Sequence, residues 1–299
     1  MEGPTASGKT NLSVSLAKHF NTCILSADSR QFYTELNIGT AKPTIEEQAG
    51  IKHHFIHSNS ITDEMTSGRY EQEALALLEK EFQSKDVIVL TGGSGMFIDA
   101  LCIGLDNIPS STELRDCIQN EFDTNGIEPL LEELKLKDLV YFNEVDQSNS
   151  KRIIRAIEVI RLTNKTYSEL RKAEPKKRFF EVHRYVIDHD REVLYDRINQ
   201  RVDQMMAAGL LSEVKSVVEH KSLASLNTVG YKELFDYLED KCTLDEAIEL
   251  IKRNTRRYAK RQLTWFRRHP DAKWIDYITS EQMKDEIITH FNSKYQTMN

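Results

Sequence analysis

The chain has 299 residues, 39% of them hydrophobic and 29% charged, with a formal net charge of −7. Such a length and balance fit one large folded domain, or a core domain carrying an insert, and exclude disordered and fibrous classes. No apolar run reaches the roughly 20 residues of a membrane span and no leader-like segment opens the sequence. The expectation is a cytoplasmic protein with no membrane partner, and its acidic balance speaks against indiscriminate nucleic-acid binding. Cys23, Cys102, Cys117 and Cys242 are far apart and form no C-x-x-C pair, so they are expected to be reduced core residues.

The first element is a loop, Gly3-Pro4-Thr5-Ala6-Ser7-Gly8-Lys9-Thr10, in the G-x-x-x-x-G-K-T pattern. Its glycines let backbone N–H groups approach phosphate oxygens, Lys9 neutralises charge, and the Thr10 hydroxyl is placed to ligate Mg2+. The plain alternative is a turn and a helix cap. Leu12, Leu16 and Phe20 then recur every four residues and predict a helix over 11–20. A loop of this kind ordinarily follows a buried strand. Only Met1 and Glu2 precede Gly3, so the first strand is expected to be missing.

Residues 22–27 read as a short strand ending in Asp28-Ser29-Arg30-Gln31, and Val87-Ile88-Val89-Leu90 as a second ending in Thr91-Gly92-Gly93-Ser94-Gly95. A helix over 70–83 lies between them. Strands at 182–187 and near Trp274-Ile275 complete a parallel sheet, whose ligands bind beyond the carboxyl ends of the strands. Asp28 and Ser94 fall at such ends. By position alone Asp28 is a metal-shell carboxylate, a helix cap or a general base, and the Gly92–Gly95 run is a site or a structural turn. His53, His54 and His57 resemble a metal cluster, but their segment offers no acidic or cysteine partner.

From about 109 to 175 the sequence is helical and charged. The expected organisation is therefore an α/β core, a P-loop NTPase-like parallel sheet flanked by helices, over 1–108 and 176–299, with an inserted all-helical subdomain over 109–175. In the insert, Lys151, Arg152 and Arg155 project together while Ile153, Ala156, Ile157 and Ile160 form a buried side; Arg155 and Glu158 read as a surface pair. The stretch 252–268 holds eight basic residues and no acid. Helical spacing puts Arg253, Arg257, Lys260, Arg261, Thr264 and Arg268 on one face and Ile251, Tyr258 and Trp265 on another. A single-sign stripe suits a phosphate backbone.

These ordered motifs resemble the tRNA dimethylallyltransferases, or tRNA isopentenyltransferases, of bacterial type. The likeness rests on the opening loop, Asp28–Gln31, Gly39-Thr40-Ala41-Lys42-Pro43, Thr91–Gly95, the Asn149–Glu158 segment, Gly230-Tyr231-Lys232-Glu233 and Thr255–Gln262. It implies transfer of a dimethylallyl group from dimethylallyl diphosphate to N6 of adenosine 37, with Mg2+ as cofactor. It further implies Asp28 as the base at N6, Ser94 as the hydroxyl of a Gly-Gly-Thr-Gly pattern touching diphosphate or substrate, and Lys9 as a catalytic cation. The resemblance also implies that Gly3, Pro4, Thr5, Ala6, Ser7, Gly8, Lys9 and Thr10 hold the diphosphate. Arg197 and Arg201, four apart on one helix face, either close over it or are structural.

Partners implied are the tRNA anticodon stem–loop, contacted by Asp28, Ser29, Arg30, Gln31, Lys151, Arg152, Ile153, Ile154, Arg155, Arg257, Lys260 and Arg261, and dimethylallyl diphosphate, with the chain acting as a monomer. His57 departs from the pattern, standing where an acid is common. The rival readings are a small-molecule kinase binding ATP at the same loop, an adenylate prenyltransferase, and a non-enzymatic RNA-binding protein. The kinase leaves the basic stripe unexplained, the adenylate enzyme needs no tRNA surfaces, and the binding protein has no use for Lys9, Thr10 and Asp28.

Overall fold

The computed structural model describes residues 1–172 and 174–296. The opening loop runs into α1 (Lys9–His19), which buries Leu12, Val14, Leu16 and Ala17. Next comes β1 (Ile24–Ser26), buried at every position, as a parallel strand covered on both faces should be. A short helix, α2 (Ile45–Gln48), is closed by a capping box between Thr44 and Glu47. The paired histidines form β2 (His53–His54), which lies parallel to β1 with Ile24 opposite His53 and Leu25 opposite His54. This strand was not legible in the sequence, since its partner strand, not its own pattern, stabilises so short a segment. α3 (Ser67–Glu81), β3 (Val89–Thr91) and α4 (Gly95–Cys102) follow.

The helical insert is a compact unit by itself, Ile103–Lys177. It contains α5 (Thr112–Asn125), α6 (Glu128–Lys137), α7 (Leu139–Glu144), α8 (Ser150–Thr163) and α9 (Tyr167–Leu170). Its core is Ile118, Leu130, Leu134, Tyr141, Ile153, Ile154 and Ile157. Two expectations are corrected here. Ile153 and Ile154 are 0% and 3% exposed, so their side chains face the insert's own core and cannot contact RNA. Glu158 is not a surface group either, being 0% exposed. Its carboxylate accepts the Ser111 N–H at 2.8 Å, receives Arg115 through two N–H groups, and pairs with Arg155 at 2.8 Å. Arg155 also donates to the Ile108 carbonyl, and these partners turn it inward. Lys151 and Arg152 remain exposed.

The other unit, Met1–Cys102 with Arg178–Asn299, continues with β4 (Tyr185–Asp188), α10 (Arg191–Ala207), α11 (Leu210–Ser216), α12 (Tyr231–Leu238), α13 (Leu244–Phe266), β5 (Lys273–Asp276) and α14 (Ser280–Gln296). The strand order is β2-β1-β3 in one parallel sheet and β4-β5 in another. Glu2 joins them with parallel bridges to Gly92 on one side and Val186 on the other. Met1 and Glu2 thus occupy the central strand position directly before the loop, which modifies the expectation of a missing first strand. Their backbone pairs through Glu2 N–H to Tyr185 O, Ile187 N–H to Glu2 O and Gly92 N–H to Met1 O. The Glu2 carboxylate is buried, and Arg184 holds it at 2.9 Å while reaching Asp99 with its other nitrogen. Among the described residues no helix is long and apolar enough to cross a membrane. Cys117 is exposed, against the expectation of a core residue.

Burial pushes the Glu158 carboxyl up, but hydrogen bonds from Arg115, the Ser111 N–H and Arg155 outweigh it and hold it below the usual carboxylate range. Stability from a depressed carboxyl is complete above its unfolded pKa and is lost as pH falls through the folded one. Glu158→Ala is expected to cost the helical unit about 2–4 kcal/mol at neutral pH. Hydrogen exchange of the α8 amides, followed by mass spectrometry on the full chain, checks this. The difference between variant and parent should shrink below about pH 4.

Candidate functional site

A cavity of about 860 Å3 opens at the carboxyl ends of β1 and β3, lined by residues of the opening loop, Asp28–Gln31, Gly39–Ala41, Thr91–Gly93, and one side of α10, α12 and α13. The opening loop reaches α1 through Gly8, whose φ of 86° is left-handed and which supplies no side-chain cap. The first N–H groups of α1 therefore have no side-chain acceptor, the arrangement that favours an anion at a helix N-terminus. Lys9 Nζ folds back to the Pro4 carbonyl at 2.7 Å and lies 3.4 Å from Ser7 Oγ.

Desolvation pulls the Lys9 ammonium down to about 7; the nearby Arg201 charge adds to this and Asp28 opposes it. Arg201 donates to Thr5 Oγ1 at 3.4 Å, and burial lowers it too. Among the described residues no carboxylate stands within ion-pair distance of either cation. Two desolvated cations facing one cavity without a paired acid are completed by an anion.

Arg197, expected either to close over the diphosphate or to be structural, is absent from the cavity lining. It braces the outside of the loop, with Nε donating to the Ala6 carbonyl at 2.8 Å and its guanidinium over the Tyr277 ring at 4.9 Å. His189 stacks on the same ring and contacts the Ser7 carbonyl at 2.9 Å. Gln262, in the buried row Ala259, Gln262, Phe266 of α13, ties the loop to the opposite wall. Its Oε1 accepts the Thr5 N–H at 2.9 Å and its Nε2 donates to the Gly93 carbonyl at 2.7 Å.

Across the cavity, Asp28 Oδ1 accepts the Arg30 N–H at 3.0 Å. Ser94, buried, accepts the Ser29 N–H on its hydroxyl at 2.9 Å and donates its own N–H to Ala27 O, so it fixes the turn that carries Asp28. Arg30 donates to the carbonyls of Ala224 and Asn227. Gln31 donates to the Thr40 and Ala41 carbonyls and accepts from Ser26 Oγ. Thr10 lines the cavity beside Lys9.

The Gly39 segment and Gly230–Glu233 are motifs to which sequence reading gave no role; the structure pairs them through Glu213. That carboxylate accepts the N–H groups of Asn37, Ile38 and Gly39 at 2.8–2.9 Å and the Tyr231 hydroxyl at 2.6 Å. A Cβ at Gly39 would fall 2.6 Å from the Tyr231 ring, so only glycine allows the contact. Sequence reading missed Glu213 and Gln262 because both act on backbone far away in the chain. The available signal was a buried-row glutamine and two motifs without a use.

On α13, Arg253, Arg257, Lys260, Arg261 and Thr264 are exposed, as the helical spacing predicts, and so is Arg268 just beyond its end. Arg257 and Arg261 reach the cavity lining. Arg256 instead hydrogen-bonds to Asn199. One stretch of the remaining wall is apolar, with Ile198, Val202, Met205, Leu210, Val229 and Ile251, beside polar residues such as Asn227, Lys232, Asp236 and Asn254.

The family model described as IPP transferase matches residues 31–269. The chain is 48% identical over 292 residues to tRNA dimethylallyltransferase 1 of Bacteroides fragilis, covering 97% of this chain and 96% of that one. It is 46% identical over 293 residues to tRNA dimethylallyltransferase 2 of Parabacteroides distasonis, covering 98% and 97%. Its fold matches the crystal structure of the full-length tRNA isopentenylpyrophosphate transferase of Bacillus halodurans with a TM-score of 0.72 at 34% identity, covering 99% of this chain and 97% of that one. A eukaryotic dimethylallyltransferase acting on tRNA matches with a TM-score of 0.77 at 26% identity, covering 94% and 74%.

Replacing Gln262 by Leu keeps the volume but leaves the buried Gly93 carbonyl and the Thr5 N–H without partners. The expected cost is about 1–3 kcal/mol of stability. Titration calorimetry with inorganic diphosphate should show weaker binding, since the loop loses its tie to the opposite wall.

Proposed function

The chain belongs to the IPP transferase family, and we propose that it transfers a dimethylallyl group from dimethylallyl diphosphate to N6 of adenosine 37 in tRNA. One observation carries the residue-level reading: a single cavity joins a cationic end, a carboxylate and an apolar wall. Prenyl transfer needs all three. The diphosphate lies against the α1 N-terminus, Lys9 and Arg201, which stabilise the charge that builds on oxygen as the C1–O bond breaks. The five-carbon chain lies along Val202, Met205 and Val229. Adenine N6 forms the new bond to C1 and gives its proton to Asp28, whose Oδ2 is the acceptor while Oδ1 is held by Arg30 N–H.

An exocyclic adenine amine is a weak nucleophile because its lone pair is delocalised, and a positioned base is worth about 10²–10⁴-fold. Ser94 serves by holding the Asp28 turn. Gln31 and the Gly39 segment shape the entrance for the base, which must leave the anticodon stack at a cost of a few kcal/mol. The exposed Arg257, Lys260 and Arg261 on α13, and Lys151 and Arg152 on the helical unit, bind phosphates of the tRNA backbone.

Mg2+ fits the donor set. The Thr10 hydroxyl is a hard oxygen donor lining the cavity beside Lys9, and Mg2+ takes few protein oxygens and keeps several waters. Bound there it supplies further charge neutralisation for the diphosphate. A kinase acting with ATP uses the same loop and carboxylate, but gives no role to the apolar wall or to the exposed basic face.

Incubation with labelled dimethylallyl diphosphate, ATP, AMP and unmodified tRNA separates the readings. Label is expected in tRNA, and Asp28→Ala is expected to lower its rate by about 10²-fold or more with tRNA binding retained. Consumption of ATP, or label in AMP, would overturn the assignment. A second measurement concerns the basic face. Charge reversal at Arg257 and Arg261 should raise the KM for tRNA and flatten the dependence of log binding on log salt by about one for each phosphate no longer neutralised.

A further inference from the structure

The paired histidines remain outside the chemistry above, and the fold supplies the partners that their own segment lacks. β2 lies against β1, and the chain just before β1 carries Cys23, which is 2% exposed. α3 ends at Glu81, 9% exposed, on the same side. His54 Nε2 lies 3.4 Å from Glu81 Oε1, and Cys23 Sγ lies 3.8 Å from Glu81 Oε2. The three donor atoms are all within 4.8 Å of one another. Tetrahedral zinc bonded to sulfur, nitrogen and oxygen at its usual lengths places such donors about 3.3–3.6 Å apart. Only small side-chain shifts separate the observed cluster from that geometry.

His54 supplies an independent observation. Its Nε2 has no solvent contact and makes no well-directed hydrogen bond, although Glu81 is close. A buried ring nitrogen without a partner is a cost that a metal–nitrogen bond removes. Lys52 and Lys85 also face the cluster. Lys52 Nζ is 3.7 Å from Glu81 Oε1 on a side chain that is 70% exposed, and Lys85 Nζ is 2.5 Å from Oε2. Lys52 is free to turn to water, while Lys85 remains on the carboxylate as an outer partner that orients it.

We propose that Cys23, His54 and Glu81 form a binding site for a thiophilic divalent cation of the zinc type, with water as the fourth ligand. The cation binds Cys23 as thiolate, so one thiol proton is released to solvent for each ion bound. The site lies at the amino-terminal edge of the sheet, whereas the Lys9 and Asp28 cavity is at the carboxyl ends of the strands. It therefore fastens β1, β2 and α3 to each other and takes no part in prenyl transfer.

The test uses the full chain, stripped with chelator and then titrated with Zn2+ against a chromophoric competitor. Expected are one tight equivalent, at least 10-fold weaker binding in Cys23→Ser and in His54→Gln, and a rise in Tm with Zn2+ that His54→Gln abolishes. Co2+ should give a thiolate-to-metal charge-transfer band in the parent and none in Cys23→Ser. If Cys23→Ser does not fold, His54→Gln and Glu81→Gln carry the comparison. No stoichiometric binding, or binding that these substitutions leave unchanged, would overturn the site.

Discussion

Two cations held in a cavity without a paired carboxylate are the constraint around which the rest of this protein is arranged. Desolvation disfavours the charged forms of Lys9 and Arg201 there, and no carboxylate among the described residues pairs with either. The surrounding structure keeps the cost from being relieved by collapse. Arg197, His189 and Tyr277 brace the loop from outside, and Gln262 fixes it from the opposite wall. An anion entering the cavity would offset that cost, and two adjacent cations favour one of multiple charge.

The carboxylate side of the cavity is equally determined by backbone. Ser94 holds the turn bearing Asp28, and Glu213 gathers successive N–H groups of the Gly39 segment as a bound anion would. Each anchor is a side chain acting on main-chain atoms far away in the sequence. This is how loops carry chemistry while helices and strands carry rigidity.

What the sequence disclosed follows from that division. The α1 helix, β1, β3, β4 and β5, the helical insert and the exposed face of α13 all leave a local trace, because apolar runs and three-to-four spacing are properties of contiguous residues. Asp28 and Lys9 were legible as positions for a similar reason, since contiguous motifs place one just past the end of β1 and the other at the start of α1. β2 was not, because two histidines form a strand only when β1 is beside them. Arg155 and Glu158 looked like a solvated pair, and only the third partner, Arg115 on another helix, shows that the carboxylate is buried. The bridges that Glu2 makes to Gly92 and Val186, with backbone hydrogen bonds to Tyr185 and Ile187, are announced by no local pattern.

Helix α13 presents arginines to solvent on one side and, on the other, the single amide that spans both walls of the cavity. Arg257 and Arg261 stand on the same helix as Gln262, whose side chain bonds Thr5 and Gly93, so the exposed face and the loop share one element. Any coupling between an anion on that face and one in the loop would be reciprocal, each changing the other's affinity by the same factor. The helix thus joins the exposed basic face to the cation-lined loop through one buried side chain.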